Sequence, residues 1–198
     1  NISSSYIEQS DNSNYKYFQF VDSGALQRSD IYNSLKGINS TCFLSGLTLL
    51  DDNQQSATYI TTDHIMPNCT SSQNFKSVLN NKSSGVFNGR TIVREDSQKT
   101  NSKQSNKNLL LSDKATMNSN PQLEIYADDV KCAHGSTTGA LDDEALFYMQ
   151  SRGIDRESAT SILIRGFVIE LMEEIENKGL RNYLFNKFDN WLAKNNKQ

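Results

Sequence analysis

The chain predicts a mainly β body followed by a small helical C-terminal domain, and three observations carry that prediction. From Tyr15 to His134 the sequence is a series of short runs in which apolar and polar residues alternate, as half-buried strands require. Nothing in that stretch sustains a 3.6-residue period, whereas the residues after Gly139 do. The runs are divided by polar connectors built from Asn, Ser, Asp, Lys and Gly, with only two prolines, Pro67 and Pro121, in the whole chain. Short strands joined by Asn-rich turns suit either a sandwich or a parallel β-helix, and no clean repeat length separates the two.

The N-terminal residues NISSSYIEQSDNSNYKYFQF have neither a basic start nor an apolar core, so no secretory signal is expected in them. Strand-like runs follow as YKYFQFV, CFLSGLTLL, ATYITTDHIM, GVFNGRTIV, NLLLS and QLEIYAD. The recurring aromatic and β-branched residues argue for a packed body against the disorder that a polar composition invites. The segment QKTNSKQSNKN, with Lys103 and Lys107, reads as a solvated, mildly positive connector.

Beyond Gly139, Asp142 is placed to cap a helix, with Asp143 and Glu144 in its first turn and Leu141 set to staple onto Leu146. That helix should run to about Arg152 and stop at Gly153. Asp155 then caps a second helix to about Asn177, with Gly179 as its stop, and Leu180, Leu184, Phe188 and Trp191 or Leu192 mark a third. On the second helix Leu163, Ile164, Phe167, Val168, Leu171, Met172 and Ile175 form one apolar half. Ile162 and Ile169 fall outside that arc, either covered by the third helix or free to dock a partner. The domain boundary is placed at residue 139, giving 1–139 and 140–198.

A net charge of −3 and a pI near 5.4 give no electrostatic reason to expect nucleic acid or an anionic membrane surface. The longest apolar stretch, Ile162 to Met172, is interrupted by Arg165 and Glu170, so no membrane span is expected. Three widely spaced cysteines, Cys42, Cys69 and Cys132, fit a reducing compartment better than a disulfide framework. Asn-x-Ser/Thr triplets at Asn39, Asn68 and Asn81 are taken as chance products of an Asn- and Ser-rich chain.

Around Pro121 to His134 the chain carries its most distinctive chemistry. Leu123, Ile125 and Ala127 alternate with Glu124, Tyr126 and Asp128, and a strand through Val130 would project Cys132 and His134 on one side, ~6.6 Å apart. Two such ligands can grip a metal ion without completing its site, which usually takes about four. His64, Cys42 and Cys69 lie at least sixty residues upstream, so the missing ligands would have to come from another chain. The bland alternatives are a small buried hydrophobe for Cys132 and a hydrogen-bonded neutral imidazole for His134. No GxxxxGK[ST] or G-x-S-x-G motif occurs, which gives no reason to expect ATP binding or a nucleophilic serine. The carboxylate pair Asp142-Asp143 is explained by capping, and Asp51-Asp52 and Asp128-Asp129 by turns.

The linked blocks KCAHGSTTGALDDEALFYMQSRGI (131–154), GVFNGRTIV, QKTNSKQSNKNLLLS and PQLEIYADDVKC closely resemble the SufB/SufD family of scaffolds in iron–sulfur cluster assembly, strongly in the second half of the chain and weakly in the first. The resemblance implies a right-handed parallel β-helix followed by a small C-terminal helical domain. It further implies a non-catalytic scaffold in the cytoplasm or plastid stroma, with no permanently bound cofactor. His134, and less so Cys132, would contribute to a transient iron–sulfur cluster shared with SufB. Leu123 and Ile125 would lie on the edge that pairs with SufB, or with a second copy when the chain is alone, and Phe147, Ile162 and Ile169 would attach the SufC ATPase. Where SufB has acidic residues flanking the matching histidine this chain has Ala133 and Gly135, and where SufB has an upstream cysteine it has approximately Lys107; both departures point to the SufD side of the family. Family members normally carry a helical domain and further coils before the matched region, so a fragment or a short homologue is expected. The rival readings are a secreted β-helical enzyme acting on polysaccharide and a passive adaptor without a metal role.

Overall fold

The computed structural model describes residues 1–195 and contains ten strands followed by three helices. The strands are β1 (Ile2–Gln9), β2 (Asn14–Val21), β3 (Leu26–Leu35), β4 (Thr41–Leu50), β5 (Gln55–His64), β6 (Thr70–Leu79), β7 (Ser84–Val93), β8 (Asn101–Leu110), β9 (Thr116–Ile125) and β10 (Lys131–Gly139). Odd strands form one parallel sheet in the order β1-β3-β5-β7-β9, and even strands a second in the order β10-β8-β6-β4-β2. Alternate strands therefore belong to opposite walls of a parallel β-helix of five coils, and each coil stacks on the one before.

The repeat hidden in the sequence is about one strand pair long. Leu26 lies beside Gln55 and Gln55 beside Ser84, each 29 residues on, and on the other wall Thr41 lies beside Thr70 at the same interval. The corners carry that period. Asn12, Asn39, Asn68 and Lys99 occupy one stack of corners and Asp52 and Asn81 the other, all with φ between 53° and 60°. That left-handed conformation strains most side chains and is easiest for Gly and Asn. The Asn of each glycosylation-like triplet is thus a corner residue, with a Ser or Thr two positions on. Behind them Ser40 donates to the Gly37 carbonyl at 3.1 Å, and Ser83 to that of Asn80 at 2.7 Å. Gly37 is required for a different reason, since a Cβ there would come within 2.0 Å of the Asp11 backbone.

The interior of the coils explains which strands the alternation of hydrophobic residues misses. One part of the lumen is apolar, with Ile31, Leu35, Cys42, Leu44, Ile60, Cys69, Phe75 and Phe87 packed together. Elsewhere the inward positions are polar and bonded to one another: Gln73 reaches across the lumen to Thr62 at 2.9 Å, while Asn33 bonds Gln9 at 2.9 Å and Gln104 bonds Gln73 at 2.7 Å between neighbouring coils of one wall. In β6 and β8, Ser71, Gln73, Ser102, Gln104 and Asn106 occupy buried sites, so much of each strand looks polar. The stretch QKTNSKQSNKN, expected to be a connector, is mostly β8 for this reason.

The even-numbered sheet is buried on both faces where the helices lie on it. Its outward residues Leu47, Leu49, Val78 and Leu109 pack against Ile164, Val168, Leu171, Met172, Leu184, Phe188, Trp191 and Leu192. These last belong to α2 (Arg156–Glu173) and α3 (Lys178–Asn195), which follow α1 (Asp143–Ser151). Each such side chain contributes ~1.5–3 kcal/mol by leaving water, an upper estimate. Asp142 and Asp155 cap α1 and α2, and Gly153 at φ 86° ends the first turn of chain between them. The second helix stops at Glu173, short of Asn177. Gly179 does not end it but lies in the first turn of α3, where the Asn177 side chain accepts from the Leu180 amide at 3.0 Å. Leu180 itself is exposed.

His64, at the end of β5, is fully buried with Nε2 2.8 Å from the Ser71 hydroxyl and, among the described residues, no partner on Nδ1. Burial pushes its pKa down to about 4, against a smaller opposing pull from Asp63. The unfolded chain therefore binds more protons than the folded one between pH ~6.5 and ~4. The resulting stability is full above pH ~6.5 and declines by about 3 kcal/mol as pH falls to ~4. Urea midpoints measured across this range should fall steeply for the native chain and less steeply for His64→Gln, and parallel curves would show that another group governs the acid limb.

Candidate functional site at the last coil

The last coil is open on the side away from the rest of the β-helix. Among the described residues strand β9 pairs only with β7, and β10 only with β8. On β9 the amides of Thr116 and Tyr126 bond to the preceding coil, so the odd-numbered residues, Ile125 and Leu123 among them, turn their backbone groups to the open edge. Pro121 falls on that open side and costs the ladder no bond. On β10 the Lys131 amide bonds inward to Thr100, leaving the backbone groups of Cys132, His134, Ser136 and Thr138 at the edge.

The side chains follow the same alternation. Cys132 stacks in register on Ser102, His134 on Gln104, Ser136 on Asn106 and Thr138 on Asn108, all buried lumen residues of β8. Cys132 and His134 therefore share the lumen-facing side of β10 at the mouth of the coil. His134 is exposed and Cys132 half-buried. Burial raises the Cys132 thiol pKa, while a hydrogen bond from the Ser102 backbone pulls the other way. The mouth is tied across by Ser119 of β9, whose hydroxyl is 2.7 Å from the Ser136 hydroxyl and donates to Asn106 Oδ1 at 2.7 Å. These serines carry no motif. Only the in-register stacking reveals them.

Among the described residues no three His, Cys, Asp or Glu side chains are grouped so as to hold a metal ion. Cys42, Cys69 and His64 are each buried in the lumen and take part in other contacts: Cys69 donates to the Gly37 carbonyl at 3.2 Å, and burial drives the Cys42 pKa to about 12. Cys132 and His134 supply at most two ligands, half of a typical site.

The remaining candidate residues divide between the edge and the helices. Leu123 is half-buried at the mouth, in register with Thr91, and Ile125 at the end of β9 is 43% exposed. Phe147 on α1 is 74% exposed, and Ile162 and Ile169 on α2 are 48% and 38% exposed. The third helix does not bury these two isoleucines, because α2 turns Ile164, Val168, Leu171 and Met172 toward the sheet and α3.

The family model of the SUF system FeS cluster assembly SufBD core domain matches residues 1–167, from the first coil into α2. The chain belongs to the SufB/SufD family. It is 39% identical over 162 residues to the iron–sulfur cluster assembly protein SufD of Escherichia coli, covering 82% of this chain and 38% of that protein. A SufBD family protein of Synechocystis sp. is 32% identical over 183 residues, 92% of this chain and 40% of that protein. A chloroplastic protein of Arabidopsis thaliana is 33% identical over 180 residues, 89% of this chain and 38% of the relative. The likeness extends over the first half of the chain as well as the second. The chain spans about two fifths of the length of these SufB/SufD relatives.

Proposed function

We propose that this chain acts as a non-catalytic, SufD-type scaffold in iron–sulfur cluster assembly, pairing through its last coil with a SufB homologue and carrying a SufC-type ATPase on its helices. The observation that supports this reading best is the open last coil, where two edge strands with unpaired backbone groups flank a two-ligand half-site at His134 and Cys132. An unpaired edge recruits another chain's strand, and a half-site requires further ligands from that chain. The cluster is cargo assembled between subunits. His134 serves as a neutral imidazole donor to iron, exposed and close to the seam, and Cys132, recessed and with a raised thiol pKa, has the lesser part. With bacterial and chloroplastic relatives, the place of work is the cytoplasm or the plastid stroma. Without a partner the same edge pairs weakly with a second copy.

His134→Ala, co-expressed with the SufB and SufC homologues of the same genome, should form the complex in normal yield, melt normally and hold several-fold less iron and sulfide. Full cluster content in that variant would rule out the ligand role, and loss of the complex would make His134 a structural contact.

Ile125→Pro removes a backbone donor that faces the open edge and breaks no bond to β7. Its thermal midpoint should move little, while sedimentation shows a weaker complex with the SufB homologue and less self-association. An unchanged complex would move the pairing surface elsewhere.

Ile162 and Ile169 are exposed enough that replacing both by Ser should cost little stability, ~0.5 kcal/mol or less per site. Capture of the SufC homologue should fall several-fold, and unimpaired capture would remove these residues from the ATPase surface.

A further inference from the structure

The helices cover the outward residues Leu47, Leu49, Val78 and Leu109 of the even-numbered sheet but leave β10 and the part of β8 before Leu109 open. On β8 the outward residues Lys103 and Lys107 are exposed, and on β10 so are Lys131, Ala133, Gly135 and Thr137. Ala133 is in register with Lys103 and Thr137 with Lys107, so the lysines rise behind a low strand. A Cβ built on Gly135 or Gly139 would meet nothing within 4 Å.

Among the described residues Lys103, Lys107 and Lys131 have no ion pair or side-chain hydrogen bond, in contrast to Lys76, which lies one coil further in and in register with Lys107. Lys76 is buried and bonded to the Phe167 carbonyl and to Glu170 at 2.8 and 3.2 Å. Glu170 senses the shelf: its pKa is held down first by Lys76, then at longer range by Lys107 and Lys103. Asp128 and Asp129 lie at the corner before β10. Three cations therefore flank the open edge, and the helix carboxylates on their side are engaged, Glu170 by Lys76 and Glu174 by Ser45 and by Asn74, which is in register with Ser105 between the two lysines.

We infer that this lysine shelf selects the partner of the β10 edge: it fits a β-strand of a different chain that carries carboxylates on its outward face, and it disfavours a second copy. The inference rests on the proposal that β10 is a pairing edge. In antiparallel pairing about a two-fold axis at Gly135, Ala133 would meet Thr137 of the second copy. Lys103 would then face Lys107 of that copy across the seam, an arrangement of like charges. An acidic strand in the same place would draw the lysines over Ala133 and Gly135. No aromatic side chain stands among these outward residues, so the shelf lacks the stacking platform of a single-strand nucleic-acid site.

The test is Lys103→Gln/Lys107→Gln in the full chain, measured by sedimentation and calorimetry for self-association and for binding to the SufB homologue of the same genome, at about 50 and about 500 mM salt, where the Debye length falls from ~14 to ~4 Å. For the native chain, salt should weaken the heterologous complex and strengthen the self-complex. The double variant should bind the SufB homologue about tenfold more weakly at low salt, self-associate several-fold more tightly, and lose most of both salt dependences. Unchanged affinities and salt slopes in a variant that still pairs would overturn the shelf and leave the edge standing. If the native chain does not pair with the homologue at all, the edge proposal fails and the shelf with it. Retention of a single-stranded oligonucleotide by the native chain, lost in the variant, would replace the protein partner by a nucleic acid.

Discussion

The whole architecture depends on one constraint: every coil must return to the same register on two walls at once. A parallel ladder fixes each strand against the one 26 to 32 residues away, from Ile2 beside Arg28 to Ser84 beside Thr116, and a slip by one residue would turn the lumen side chains outward. The corners enforce the return. Residues in the left-handed conformation at Asn12, Asn39, Asn68, Asn81, Asp52 and Lys99 reverse the chain in a small space. Backbone bonds such as Asn39 to the Pro67 carbonyl and Asn68 to that of Gln98 tie one corner to the next.

Given that register, the rest is a question of what lies on each side of each wall. The lumen tolerates polar residues because stacking places complementary groups at the same level, as with Gln73 between Thr62 and Gln104; satisfied in this way, a buried amide adds rigidity where an unmatched one would be costly. The outer face of the even-numbered sheet is apolar only where helices cover it. There the acidic end of α2, unfavourable for the helix dipole, is offset by donors from the sheet: Glu174 accepts from Ser45 and Asn74 at 2.9 and 2.8 Å, and Glu176 pairs with Lys16. The same strands therefore hold the helices in place and form the base on which the last coil stacks.

The open mouth follows from stacking that ends. The coils between the two ends satisfy their backbone on both sides, whereas β9 and β10, like β1 and β2 at the opposite end, have a neighbour on one side only. Cys132 and His134 supply two of the four open amides at alternate residues of that terminal strand, so a chain that completed the ladder would come within reach of the imidazole. In the proposed function, pairing and ligand donation would be two consequences of a single edge.

The sequence by itself determined the helical caps at Asp142 and Asp155, the strands whose inward residues are apolar, and the shared face of Cys132 and His134, because these depend on neighbours within a few positions. It also carried the family likeness in its linked blocks. Only the tertiary structure decided the rest. β6 and β8 escape hydrophobic patterning because their inward Ser, Gln and Asn are matched by residues 11 to 31 positions away. The Asn triplets became corners, Lys103 and Lys107 moved from a connector onto a strand, and the second helix ended early so that α3 could lie on the sheet. Long-range pairing sets all of these, and pairing between coils leaves no local trace in the chain.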